Sequence, residues 1–187
     1  MDAYLEIRFL PDPEFPASFL MGALYAKLHR ALVTLNARGI GVSFPDYSLA
    51  PRTLGDRLRL HGTRADLSQL MEQNWLKGMN DHIQCSEVLP IPDSVEYRTV
   101  SRRQFKTSSE RLRRRRMKRK GETYEQAASA IPDSVEQTPN LPFVHMRSAS
   151  TGQPFTLFIE QGELVEHPRE GEFSTYGLSR QATIPWF

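Results

Sequence analysis

At 187 residues, with 39% hydrophobic and 25% charged side chains, the chain is long enough to bury a core and has the make-up of an ordinary globular protein. It holds no apolar run of the roughly 18 residues that a bilayer span needs, and its one cysteine, Cys85, excludes an intrachain disulfide and a paired-cysteine zinc site. The net charge of +2 conceals an uneven distribution: twelve of the twenty-four Lys and Arg residues but only one of the twenty-two acids, Glu110, fall between Arg98 and Lys120, leaving a basic segment of +11 in a body of −9. Such a contrast points to a polyanion held at one place and not to a generally adhesive surface. The opening MDAYLEIRFL has acids where a secretory leader needs bases, so a cytoplasmic protein with no membrane attachment is expected.

Residues 3–10 alternate, with Ala3, Leu5, Ile7 and Phe9 on one face, and predict a half-buried strand. Pro16 suits the first turn of a helix over 17–37, whose apolar stripe is Leu20, Leu24, Leu28, Ala31 and Leu35. Ile40, Val42 and Phe44 predict a short strand, and Leu58 and Leu60 a second one. Thr63 is placed to cap a helix over 64–77, and a strand follows near 81–88. The resulting β-α-β-β-α-β order is that of the ferredoxin-like unit. We therefore expect an α+β protein with a ferredoxin-like domain over 1–92 and, after Pro90 and Pro92, a C-terminal α/β region over 93–187 that carries an arginine-rich helix. In that region 95–100 suggests a strand or linker, Ser108 or Ser109 a cap for a basic helix over 110–119, 123–130 a short helix, and Phe143–Arg147 with Phe155–Ile159 a hairpin.

The segment ERLRRRRMKRK is the strongest local feature. On a helix Arg111, Arg115, Lys118 and Arg119 are neighbours at spacings of three and four, with Arg114 beside them. Leu112 and Met117 are its only apolar residues, so little of its surface is expected to be buried. A solvated charge run or a localisation tract has the same composition; nucleic acid is the better match, because arginine's forked donors fit phosphate oxygens and guanine edges. Upstream, Arg102 and Gln104 fall on one face of an extended segment, and Arg and Gln pair bidentately with guanine and adenine. By itself this pair is also what two ordinary surface residues look like.

The five histidines (His29, His61, His82, His145 and His167) show no metal-binding spacing and no accompanying carboxylate cluster, so neither a metal nor another cofactor is expected. RNA supplies its own nucleophile, since a 2′-hydroxyl attacks the adjacent phosphate when a base removes its proton and the geometry is in line. Histidine suits that work near neutral pH. His29 lies about 140° from Leu24 on the helix, off the apolar stripe. An exposed surface histidine would lie there too, just as Ser148 and Ser150 beside a Thr-Gly turn fit plain turn chemistry and Phe155 fits a core.

Taken together, YLEIRF-x-PDPEFP, KLHRAL, IGVSFP, VSRRQFK, ERLRRRRMKRK, LPFVHMRSASTGQPFTLFI, YGLS and the final PWF make the chain resemble, nearly end to end, the CRISPR-associated endoribonucleases that process repeat RNA in type I-F systems. The resemblance implies a helix that enters the major groove of a repeat hairpin. A-form major grooves are normally too deep and narrow to read, so a short stem approached near its end is implied as well. It implies catalytic roles for His29, Ser148 and Tyr176, with Ser148 holding the attacking hydroxyl. It assigns RNA contacts to Arg102, Gln104, Arg111, Arg114, Arg115, Lys118, Arg119, Ser150 and Phe155, with Phe155 stacking on the terminal base pair. The implied products are a 5′-hydroxyl and a 2′,3′-cyclic or 3′-phosphate, and the implied partners are the repeat stem-loop and the other subunits of the type I-F surveillance complex. The chain departs from the family pattern at Lys118, where arginine is expected, and at Arg116, where an apolar residue is expected. The competing readings are a non-catalytic RNA-hairpin-binding subunit and a DNA-binding regulator.

Overall fold

A computed structural model describes every residue except Thr107, Thr138, Ala149 and Ser150. Packing divides the chain into a body, Met1–Arg103 with Leu141–Phe187, and an insert, Gln104–Asn140. The division at 92–93 drawn from the prolines follows the change in sequence pattern; by packing, the hairpin and tail belong with the first hundred residues.

The body's main sheet is built from β1 (Ala3–Phe9), β2 (Gly41–Ser43), β5 (Arg57–Gly62), β6 (Ile83–Cys85) and β7 (Leu89–Pro90), together with a small side hairpin of β3 (Ser48–Leu49) and β4 (Arg52–Thr53). Its order is β2-β5-β1-β6, with β7 also pairing with β1, and every pairing is antiparallel. With α1 (Ala17–Thr34) after β1 and α2 (Arg64–Glu72) after β5, the elements from β1 to β6 run β-α-β-β-α-β once the β3–β4 hairpin is set aside, and β7 is a further strand after them. Leu5 faces Leu60 and Ile7 faces Leu58 across the β1–β5 ladder, and these join Leu20, Leu24, Leu28, Leu67 and Leu70 in one buried cluster. Thr63 caps α2 by accepting from Asp66 N–H at 3.1 Å. That helix ends at Glu72, five residues earlier than its apolar spacing predicts; Asn74, at φ 48°, and the turns through Met79 replace its last stretch while still burying Trp75, Leu76 and Met79.

The other face of this sheet is also covered, which the alternation does not predict. Gly41 and Ser43 are as buried as Ile40, Val42 and Phe44. The tail explains it: Phe173 and Ile184 crowd Gly41 so closely that a Cβ there would collide with both. Phe187 packs edge-on against Tyr4 and His61, while the Arg59 guanidinium sits 4.1 Å from the Phe187 ring centre and bonds Glu6 at 2.8 Å. Ser43 and His61 share a buried hydrogen bond of 2.8 Å.

A second antiparallel sheet, β10-β11-β9, pairs β10 (Phe143–Arg147) with β11 (Pro154–Gln161) as the expected hairpin, and β11 with β9 (Val100–Arg103). Strand β12 (Ile184–Trp186) pairs with β8 (Glu96–Arg98). Helix α1 lies against β10 at Gly22, where any Cβ would come within 2.9 Å of the His145 carbonyl.

The insert holds α3 (Ser109–Lys120), α4 (Tyr124–Ala130) and a 3-10 turn at Asp133–Val135. Ser108 caps α3 by accepting from Arg111 N–H at 3.2 Å, and Thr123 with Gln126 forms a reciprocal capping box on α4.

Candidate active site and candidate nucleic-acid interface

His29 stands on α1 one turn beyond Tyr25 and is half-buried. Its Nδ1 lies 2.8 Å from the Thr175 carbonyl oxygen. A carbonyl can only accept, so Nδ1 carries a proton, and in the neutral ring Nε2 is the nitrogen with the lone pair. The Tyr176 ring lies flat on the imidazole, with centroids 4.0 Å apart and planes 3° from parallel. Two residues that the sequence places 147 positions apart are thus in direct contact. The loop that brings Tyr176 there turns tightly: Gly177 N–H donates to Ser174 O at 2.7 Å, and Gly177 sits at φ 67°. A Cβ on Gly177 would come within 2.5 Å of the Val42 side chain, so glycine is required there on two counts.

Ser148 directly follows β10, the strand packed along α1. Its hydroxyl accepts from Thr151 N–H at 3.3 Å, and its carbonyl accepts from Gly152 N–H at 2.8 Å. The turn chemistry expected of a serine at this place is present. Ser150 lies outside the described residues.

Arg102 and Phe155 are brought together in the second sheet, with the guanidinium 5.6 Å from the ring centre. The Arg102 Nε is buried without a hydrogen-bond partner among the described residues. Gln104 is exposed in the insert.

The arginines of α3 sort into two faces. Arg113 is 8% exposed and fully engaged within the insert: Nε donates to Ile131 O at 2.9 Å, one terminal nitrogen to Tyr124 Oη at 3.4 Å, and the other pairs with Asp133 at 2.8 Å. Arg116 binds both oxygens of Glu122, one of them at 3.0 Å. Glu122 thus supplies the countercharge of Arg116 within the insert. The Ser109 hydroxyl, followed by the charge of Arg113, holds the Asp133 carboxyl below the usual carboxylate range. The Arg116 hydrogen bond does the same for Glu122. On the opposite face, Arg111, Arg115, Lys118 and Arg119 are exposed and form no ion pair among the described residues, while Arg114 makes only a surface pair with Glu110 at 3.0 Å. The expectation that this helix buries little needs correcting at Arg113 and Ser109, which are buried although polar because the insert supplies each with hydrogen-bond partners.

Sequence reasoning left out Tyr25 and Arg113. A tyrosine inside an apolar helix stripe is itself a signal, because its buried hydroxyl must find an acceptor. Here the acceptor is Tyr176 O, at 2.6 Å. For Arg113 no local signal exists, since its partners lie 11 to 20 residues downstream.

The family described as CRISPR-associated protein (Cas_Csy4) matches residues 4–187. A protein named CRISPR-associated endonuclease Cas6/Csy4 from Escherichia coli (strain UTI89 / UPEC) is 51% identical over 187 residues, covering all of both chains. One of the same name from Pseudomonas aeruginosa (strain UCBPP-PA14) is 49% identical over the same full span. With its whole length matched in this way, the chain belongs to the CRISPR-associated Csy4 family.

Proposed function

We propose that this protein is a metal-independent endoribonuclease that binds the stem-loop of a CRISPR repeat RNA, cuts the precursor at the 3′ base of the stem, and stays on the mature guide RNA within a type I-F surveillance complex in the cytoplasm. Family membership supports the substrate class. The observation that carries the chemistry is His29, whose Nδ1–H is spent on the Thr175 carbonyl so that Nε2 is free to accept a proton. In this reading Nε2 takes the proton of the 2′-hydroxyl, which Ser148 holds in place. The 2′-oxygen bonds to phosphorus, the bond to the 5′-oxygen breaks, that oxygen takes a proton from solvent water and Nε2 returns its proton to solvent, giving a 2′,3′-cyclic phosphate and a 5′-hydroxyl. Tyr176 holds the imidazole plane. No metal has a role in these steps.

The grip is assigned to Arg111, Arg114, Arg115, Lys118 and Arg119, whose side of α3 is left almost without internal countercharge, with Ser150 at the scissile phosphate. Arg102 and Gln104 read a guanine and an adenine low in the stem, and Phe155 stacks on its last pair. We read residues 1–92 as a ferredoxin-like domain, which the β2-β5-β1-β6 order with its two crossover helices supports, and 93–187 as the RNA-binding region.

The test is to incubate the protein with its host's repeat RNA in excess EDTA and map the ends. Wild-type protein is expected to cut at one phosphate, and His29→Ala to cut roughly 10²–10⁴-fold more slowly while binding the hairpin as before. A strict, restorable need for a divalent ion, or normal cutting by His29→Ala, overturns the mechanism. Binding without any cutting by the wild type leaves a hairpin-binding subunit in its place.

A further inference from the structure

We propose that Tyr25 is a positioning residue for cleavage, its hydroxyl holding the 174–178 turn in the one arrangement that keeps the proton of His29 on Nδ1. The proposal rests on the reading of His29 as the proton acceptor, and it starts from three successive carbonyls. Thr175 O faces His29 Nδ1 at 2.8 Å, Tyr176 O accepts from Tyr25 Oη at 2.6 Å, and Gly177 O accepts from Val42 N–H at 2.9 Å. Tyr25 and His29 are one helical turn apart on α1, so both reach the same loop from one rigid element.

The peptide planes decide what each bond does. Thr175 O belongs to the peptide before Tyr176, and Tyr176 O to the peptide after it. Holding both fixes the two backbone dihedrals of Tyr176, and with them the direction in which its ring leaves the loop. The result is the flat contact with the imidazole. If the peptide after Tyr176 turns, the ring swings off His29 and the Thr175 carbonyl moves with it. Nδ1 then loses the acceptor that defines its tautomer, and Nε2 is no longer reserved for the substrate.

Tyr25 suits this task. It is entirely buried, so its hydroxyl must be bonded within the protein, and its neighbours offer a backbone carbonyl in place of water. Burial pushes the phenol's ionisation well above its usual range, so it remains a donor wherever the enzyme works.

Tyr25→Phe removes one oxygen and keeps the ring that packs near Phe44. Its hairpin affinity and melting temperature are expected to stay near those of the wild type, while its single-turnover cutting rate falls about tenfold, the effect of losing roughly one hydrogen bond's orientation. ¹⁵N spectra of the His29 ring in the free protein are expected to show protonated Nδ1 in the wild type and a mixture of tautomers in Tyr25→Phe. A wild-type ring protonated on Nε2 overturns the proposal without any variant. So does a Tyr25→Phe protein with an unchanged rate or unchanged ring spectra, or one in which affinity and melting temperature fall together with no tautomer change, the pattern of a purely structural tyrosine. Normal cutting by His29→Ala is a separate failure, that of His29 as proton acceptor, and is told apart because the ring spectra do not depend on cleavage.

Discussion

The body and the insert solve the problem of holding a chain together by opposite means. The body buries Leu5, Leu24, Leu28, Leu32, Leu58, Leu60 and Leu67 completely, and burial of that kind is worth about 1.5–3 kcal/mol per large side chain. Among its described residues the insert has one fully buried apolar side chain, Ala127, and it is tied instead by Arg113 to Ile131, Tyr124 and Asp133, by Arg116 to Glu122, and by Ser109 to Asp133 and Glu136. A helix that must present arginines to a polyanion cannot also present leucines to a core over most of its surface. Arginine on the hidden face as well as the outer one makes the insert's cohesion electrostatic.

The largest expected effect tests the body. Leu60→Ala, at a fully buried position opposite Leu5, should lower global stability by about 2–5 kcal/mol in denaturant titrations. The amides of α3 should exchange no faster than those of the body under conditions where the variant stays folded. Smaller, and aimed at the insert, is a comparison of Arg113→Gln with Arg115→Gln. Arg115→Gln should flatten the plot of log affinity against log salt by about one unit, as one phosphate contact is lost, and leave amide exchange alone. Arg113→Gln should speed exchange across 109–131 by the equivalent of about 1–3 kcal/mol, because it removes hydrogen bonds to a buried charge, with no change in the body. If the two variants behave alike, the sorting of the helix into an anchoring and a gripping face is wrong.

The two regions should also differ in how they respond to acid. Burial, and after it the charge of Arg59, pushes the His61 imidazole down to about 3 from its usual 6.5. Its folded-state pKa is depressed, so below 6.5 the unfolded chain binds a proton that the folded chain refuses. Stability of the body should therefore fall by up to about 1.4 kcal/mol for each pH unit between 6.5 and about 3. His61→Gln should remove most of that slope. In the insert, the depressed Asp133 and Glu122 place any loss of stability at lower pH, where those carboxylates protonate. A melt in which both regions loosen together near pH 6 would contradict the separation.

What the sequence made legible was what short-range pattern controls. The alternation of Ala3, Leu5, Ile7 and Phe9 is a strand, the leucine stripe from Leu20 is a helix, and the basic helix at Ser109–Lys120 lies within a residue of its predicted bounds. The misses depend on partners far along the chain. Gly41 looks like the solvent side of a strand until Phe173 and Ile184 cover it. Arg113 looks like its neighbours until Asp133 arrives. For His29, helical geometry places it off the apolar stripe, but only the fold brings Thr175 and Tyr176 to it.

The covered side of the main sheet bears on how the protein is made. Ribosomes deliver the chain from the N-terminus, so β1, β2 and β5 can pair well before Phe173, Ile184 and Phe187 exist. The side that waits for them is not a greasy one: it presents Glu6, Ser43, Arg59 and His61, with Tyr4 as its main aromatic. A half-finished sheet with a polar open side can stay hydrated, and offers other nascent chains little to stick to, until the tail closes over it. The polar residues that look out of place in the finished core are therefore well suited to the interval during synthesis when that core is still open.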